Sequence, residues 1–285
     1  MRVNMDTQFK KGKGLTLIEL LIALAISAIL IAAIYRTFIS QQKTYTVQEQ
    51  VVDMQQNVRV AINKMMREIR MAGFGNVSDV IGLTGGVNGF IEVITPAQTE
   101  ITILLGSRQI STLAADAIGD RNQITLANAE EASQFDGTAH RFISIGGIES
   151  NTIQSRSGAI LTLDKPLKLT HKITDLEGKP LSVPVFKIQA ITYKLGTSDG
   201  KPVLQRNENT GGGSQPLAEN IENLQFEYLD ANGITTTNPG DIRMIRVTIT
   251  ARTRMPDPEF KGEAGGFRRR TITSNIHVRN MGVNP

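Results

Sequence analysis

The sequence predicts an α+β chain: a long N-terminal α-helix, transmembrane in its first half and amphipathic in its second, packed on an antiparallel β-rich globular head. Three observations predict it. No Gly or Pro interrupts Leu15 to Ala72. Within that stretch Leu15 to Ile34 form an apolar run of about 20 residues, with Glu19 the sole charge, which is the length of one bilayer crossing. Beyond Gly75 the apolar period changes from 3.6 to 2 among Gly, Asn, Asp and Ser. Helix first and strands after is the α+β order.

The segment before the helix is basic. Arg2, Lys10, Lys11 and Lys13 against Asp6 place +3 of the formal net charge of +4 in the first fourteen residues, leaving +1 for the rest. Lys and Arg beside an apolar helix hold that end in the cytoplasm, so everything after Tyr35 is expected outside. A secretory signal peptide has an apolar stretch of about 7 to 15 residues, and this run exceeds it. The chain has no cysteine. An oxidising compartment therefore adds no disulfide, thiolate zinc sites are excluded, and the exported part must be held by its own core.

Glu19 is out of place in a plain anchor. A charge in the bilayer costs about 3 kcal/mol on insertion scales, so the carboxylate calls for a partner. Its setting, Lys11-Gly12-Lys13-Gly14-Leu15-Thr16-Leu17-Ile18-Glu19-Leu20-Leu21, resembles the processing signature of the type IV pilin superfamily. The resemblance implies cleavage after Gly14 by a dedicated prepilin peptidase, N-methylation at Leu15, and Glu19 as the fifth mature residue. In that family the glutamate of one subunit receives the amine of a neighbour during filament growth. The spacing suits the chemistry, since an amine at Leu15 stands at i to i+4 from Glu19, and a carboxylate is favoured near a helix N-terminus. Two residues depart from the pattern: Leu15 stands where phenylalanine or methionine is usual, and Arg36 stands where many pilins have a helix-kinking proline. The second departure predicts a straighter helix.

The helical pattern continues to Ala72, about 58 residues or roughly 87 Å at 1.5 Å per residue. Val47, Val51, Met54, Val58, Ala61, Met65, Ile69 and Ala72 recur at steps of three and four, leaving one apolar stripe for a sheet to cover. Gly73 and Gly75 end it. Met54, Met65, Met66 and Met71 read as packing residues. The segments Ser40-Gln41-Gln42-Lys43-Thr44-Tyr45, Met54-Gln55-Gln56-Asn57-Val58-Arg59 and Arg67-Glu68-Ile69-Arg70-Met71-Ala72-Gly73-Phe74 resemble the PilW-like branch of minor pilins. Weaker likeness returns in Ile191 to Leu195, Leu204 to Arg206, Ile221 to Tyr228 and the last strands.

Strands are expected over Glu100–Leu105, Gln123–Leu126, Phe142–Ile145, Ala159–Leu163, Phe186–Leu195, Val203–Arg206, Leu224–Leu229, Ile242–Thr253 and Arg270–Arg279. Ser198-Asp199-Gly200 and Ala231-Asn232-Gly233 have the chemistry of turn tips. Ile245, Val247, Ile249 and Ala251 alternate with Arg246, Thr248, Thr250, Arg252 and Arg254, and Ile272, Ile276 and Val278 alternate with polar neighbours. These two runs are expected to pair antiparallel, closed by the loop from Met255 to Arg269, and the family resemblance implies that they form the final part of the head sheet.

From Arg243 to Arg279 nine Lys and Arg face three Asp and Glu, which marks Arg246, Arg252, Arg254, Arg268, Arg269 and Arg270 as a basic face. Phosphate contact is one use for such a face, but the aromatic interleaving of single-strand binders is missing. A solvated face or an acidic neighbouring subunit is favoured, and nucleic acid is disfavoured. No chemistry emerges elsewhere. His140, His171 and His277 are far apart in sequence, and no nucleophile elbow, phosphate loop or dinucleotide fingerprint is present. Gly211 to Gly213 reads as a loop, and Asp230, Asn232 and Asp241 as a polar turn in preference to a calcium site. No catalytic, cofactor-binding or metal residue is assigned, and the chain is read as not an enzyme.

The expected organisation is a cytoplasmic leader over 1–14, a transmembrane and filament-core helix over 15–46, and a head over 47–285. The resemblance implies a minor pilin in the priming or tip complex of a type IV pilus. Its partners would be prepilin peptidase/methylase, the major pilin, other minor pilins and a tip adhesin. It would sit first in the bacterial inner membrane as a single-pass protein with a cytoplasmic N-terminus, then on the pilus at the cell surface. The alternatives are a minor pseudopilin of type II secretion and a DNA-uptake pilin using the C-terminal basic face.

Overall fold

The structure, a computed structural model, describes residues 16–257, 259–260 and 264–281. It has two units, the first ending at Gln50 and the second beginning at Val51. One helix, α1 (Leu17–Arg70), runs through both. It forms because no residue in it lacks an amide or carries glycine's backbone freedom. It stops where Gly73 takes φ +82° and donates its amide to the Leu104 carbonyl at 2.9 Å.

In the first unit the apolar side chains have no core to enter. Leu17, Ile29, Ile31 and Ile34 are exposed, and no residue of the most apolar stretch is buried. This helix is long and apolar enough to cross a membrane. The hydroxyls of Thr37, Thr44 and Thr46 donate to the carbonyls of Ala33, Ser40 and Gln42 one turn back, so they carry no unsatisfied donor.

The second unit starts with the amphipathic half of α1. Met54, Val58, Ala61, Ile62, Met65, Ile69 and Ala72 are buried, with Val51 packed at the margin. After it come α2 (Val77–Thr84), β1 (Ile94–Pro96), β2 (Glu100–Thr112), β3 (Gln123–Thr125), the short α3 (Ala129–Ala132), β4 (Phe142–Ile145), β5 (Glu149–Ser157), β6 (Ile160–Leu163), β7 (Pro184–Ser198), β8 (Lys201–Asn207), β9 (Ser214–Glu219), β10 (Ile221–Leu229), β11 (Met244–Arg252) and β12 (Arg269–His277). All the strand pairings are antiparallel. The α+β composition matches a pilin-like fold.

The strands form two sheets. A nine-stranded sheet runs β1-β2-β7-β4-β5-β6-β3, with β8 on β7 and β9 on β8; a separate three-stranded sheet runs β10-β11-β12. This corrects the expectation that the last two strands finish one head sheet. They do pair, from Met244↔His277 to Arg252↔Arg269 without a register shift, but β10 is their third strand. The main core joins both sheets to α1: Ile101, Ile103, Ile191 and Leu204 come from one, and Leu224, Phe226, Val247, Ile249 and Ile276 from the other. Each such side chain contributes about 1.5–3 kcal/mol when fully buried.

Several elements differ from the sequence reading. β2 extends through Gly106 to Thr112, because the glycine accepts the Phe74 ring: a Cβ there would stand 3.1 Å from its Cδ1. α2 forms in spite of Gly82, held by buried Val77 and Val80 against Leu104, Phe142 and Ile188. β1, β5 and β9 lie where no strand was expected. The Ser198-Asp199-Gly200 tip is as expected, with Asp199 at φ 50° and Gly200 at φ 73° joining β7 to β8, the left-handed pair that a tight hairpin requires.

Candidate functional site

Thr16 and Glu19 form a reciprocal cap at the start of α1. The Glu19 amide donates to Thr16 Oγ1 at 3.3 Å, and the Thr16 amide and hydroxyl both donate to Glu19 Oε2 at 2.9 Å. This is the capping-box arrangement, which satisfies amide groups that a helix start leaves unpaired. The Thr16-Leu17-Ile18-Glu19 spacing is the sequence signal for it, which the reading of Glu19 as an ionic partner overlooked. Glu19 remains exposed, so the cap holds one oxygen in place without closing the carboxylate to an incoming cation. Gly14, Leu15 and the leader lie outside the described residues.

On the head, the six arginines of the basic face divide. Arg246 Nη1 pairs with Glu227 at 2.6 Å across β10 and β11. Arg252 and Arg269 converge on Glu222 at 3.0 and 2.6 Å, and Arg252 also lies 4.2 Å over the Phe267 ring. Arg268 pairs with Asp257 at 2.8 Å and stacks on Phe260. Arg254 and Arg270 are exposed and have no ion pair among the described residues. Hydrogen bonds from Arg269 hold the Glu222 carboxyl below its ordinary range, and Arg268 does the same for Asp257. The sequence count missed this pairing because Glu222 and Glu227 lie upstream of the segment counted and reach it through the register of β10.

Glu68 on α1, Tyr193 on β7 and Arg206 on β8 meet in a network that binds α1 to the sheet. Arg206 on β8 grips both Glu68 oxygens, at 3.0 and 3.1 Å, and donates to Glu208 at 2.7 Å. The buried Tyr193 hydroxyl donates to Glu68 as well; burial and then Glu68 push its pKa above the usual phenol value. Beside this network a groove of about 700 Å³ is lined by Lys64, Arg67 and Glu68 of α1 together with Met71, Phe74 and Phe186.

The histidines stay apart. His171 is buried and hydrogen-bonded to Glu149 at 2.9 Å, with the Lys168 and Leu169 amides on the same carboxylate, which fixes the loop after β6. His277 is exposed at the end of β12. Asp230 accepts from the amides of Asn232 and Ile234, whereas Asp241 is engaged by Asn238, so the two carboxylates belong to separate turns. Among the described residues no group of three or more His, Cys, Asp or Glu is arranged to hold a metal.

Against known families, residues 9–35 match the prokaryotic N-terminal methylation motif. No curated protein and no solved structure matches the chain. The motif supports a type IV pilin-like family, either a type IV pilin or a pseudopilin, and with the apolar helix it supports an inner-membrane-anchored pilin. It implies processing by prepilin peptidase and assembly with other pilins, and it points to a structural protein.

Proposed function

We propose that this chain is a PilW-like minor pilin of a type IV pilus, processed by prepilin peptidase and incorporated into the priming or tip complex that starts assembly. The observation that carries the reading is the methylation motif over residues 9–35 leading into a helix whose most apolar stretch finds no burial within the chain. Cleavage after Gly14 frees a cationic amine at Leu15. The exposed carboxylate of Glu19, already oriented by Thr16, is the acceptor for the amine of a neighbouring subunit, and extraction from lipid into the filament covers the apolar helix. The leader faces the cytoplasm, the chain crosses the inner membrane once, and the head reaches the pilus surface. The major pilin, other minor pilins and a tip adhesin are its partners.

Mass spectrometry of the chain purified from its host is expected to show an N-terminus at methylated Leu15. A chain still beginning at Met1, or one cut beyond Ile34, would end this reading. A pseudopilin of type II secretion shares the motif, and neighbouring genes for a secretin-linked exporter in place of other minor pilins would favour it. The DNA-uptake reading draws little from the C-terminal arginines, four of which are committed to carboxylates within the head.

A further inference from the structure

A strand at the end of a sheet turns half of its backbone N–H and C=O groups away from its neighbour and offers them to any extended chain. The terminal strands of the nine-stranded sheet are each blunted. β1 has three residues and ends in Pro96, β3 has three residues, and β9 contains Pro216. In the smaller sheet β10 is covered: the Phe226 amide donates to the Gln98 carbonyl at 2.8 Å, and Tyr228 Oη bonds the Ala97 amide and carbonyl. β12 has none of these devices. It is nine residues long, has no proline and pairs with β11 throughout without a bulge. Among the described residues no backbone hydrogen bond reaches it from its outer side.

Its chemistry selects the occupant. Arg268 to Arg279 contain four arginines and no carboxylate. The acids that neutralise this region, Glu222 and Asp257, are engaged by Arg252, Arg269 and Arg268, while Arg270 is exposed without an ion pair among the described residues. Ile272, half-buried against the main core, leaves an apolar margin two residues further on. A second copy of the same edge supplies no carboxylate: paired antiparallel about Thr273 it would set Arg269 opposite His277 and Arg270 opposite Ile276.

We propose that the outer edge of β12 is a strand-addition site that takes an extended acidic segment of another protein, its backbone completing the ladder, an apolar residue beside Ile272 and a carboxylate beside Arg270. This is β-augmentation, in which backbone bonds supply affinity and alternate side chains supply selectivity.

The test uses the full chain in detergent micelles, with a short synthetic peptide of alternating valine and threonine carrying glutamate near each end, and its lysine counterpart. Hydrogen exchange should show alternate amides between Arg270 and Ile276 exchanging fast in the free chain and slowing with the glutamate peptide. Arg270→Glu should weaken the glutamate peptide about fivefold, the scale of exchanging an attractive for a repulsive cross-strand pair, and should strengthen the lysine peptide. Three results would overturn the proposal: no slowing at β12 with either peptide, equal affinity of both peptides for the unaltered chain, or slowing that rises with protein concentration before peptide is added, which would mean that the edge pairs with itself.

Discussion

The apolar residues in the two halves of α1 are of the same kinds and meet opposite fates. Ile29 and Ile34 are 70% and 68% exposed, whereas Met65 and Ile69 are 0% exposed. The arrangement of apolar residues makes the difference. Around Leu17 to Ile34 they surround the helix, so no single neighbour could cover them and the surroundings must be apolar on every side. From Met54 to Ala72 they form one stripe, which the two sheets cover. The first half is thus suited to lipid or a bundle of like helices, and the second supplies the spine of a folded head.

Substitutions should separate the halves, the largest effect coming from the stripe. Met65→Ala is expected to lower head stability by roughly 2–5 kcal/mol, as for other large-to-small core changes, read by urea unfolding of the full chain in detergent through the near-ultraviolet signal of buried Tyr193 and Tyr228. Leu24→Ala should leave that transition in place; an equal loss would mean that the first half is buried after all. Ile26→Lys should cost about 3 kcal/mol of membrane insertion and move chain into the carbonate-soluble fraction. Val60→Lys, on the exposed face of the second half at 65% exposure, should leave membrane retention unchanged.

The smallest effect is a pH dependence confined to the head. Burial raises the Glu149 pKa, but hydrogen bonds from His171 and from the Lys168 and Leu169 amides outweigh it and hold the group below the ordinary carboxylate value. A folded-state pKa below the unfolded one contributes stability that is present above about pH 4 and is lost as pH falls through the folded value. Glu149→Gln should therefore cost about 1–3 kcal/mol at neutral pH, where two amides lose a charged acceptor, and should flatten the acid limb of the urea midpoint against pH. An unchanged acid limb would show that other carboxylates dominate it.

The sequence was most legible where the period was long and unbroken. The helix, its apolar stripe and the β11–β12 alternation were all readable, because burial on one face imposes a repeat that neighbouring residues report together. β5 was not: it begins Glu-Ser-Asn-Thr, yet Glu149, Ser150, Asn151 and Thr152 are all buried. Three of these side chains have distant partners: Ser150 donates to the Asn76 carbonyl, Asn151 to that of Lys165, and Glu149 accepts from the Lys168 amide. α2 was hidden by Gly82 and by the glycines before it, its stability arising from packing. Of the site, Glu19 stood out as a lone charge in an apolar run, but its bond to Thr16 needed the helix start to be placed to the residue.

The prepilin-type start, the apolar run and the α+β order follow from residue order, since charge, hydrophobic length and periodicity are local properties that survive without knowledge of neighbours. The meaning of the C-terminal arginines did not. They looked like a free basic face until the register of β10 set Glu222 and Glu227 opposite them and the loop brought Asp257 to Arg268. The open edge of β12 is likewise a product of strand order, because whether a strand is central or terminal depends on which distant segments pair with it.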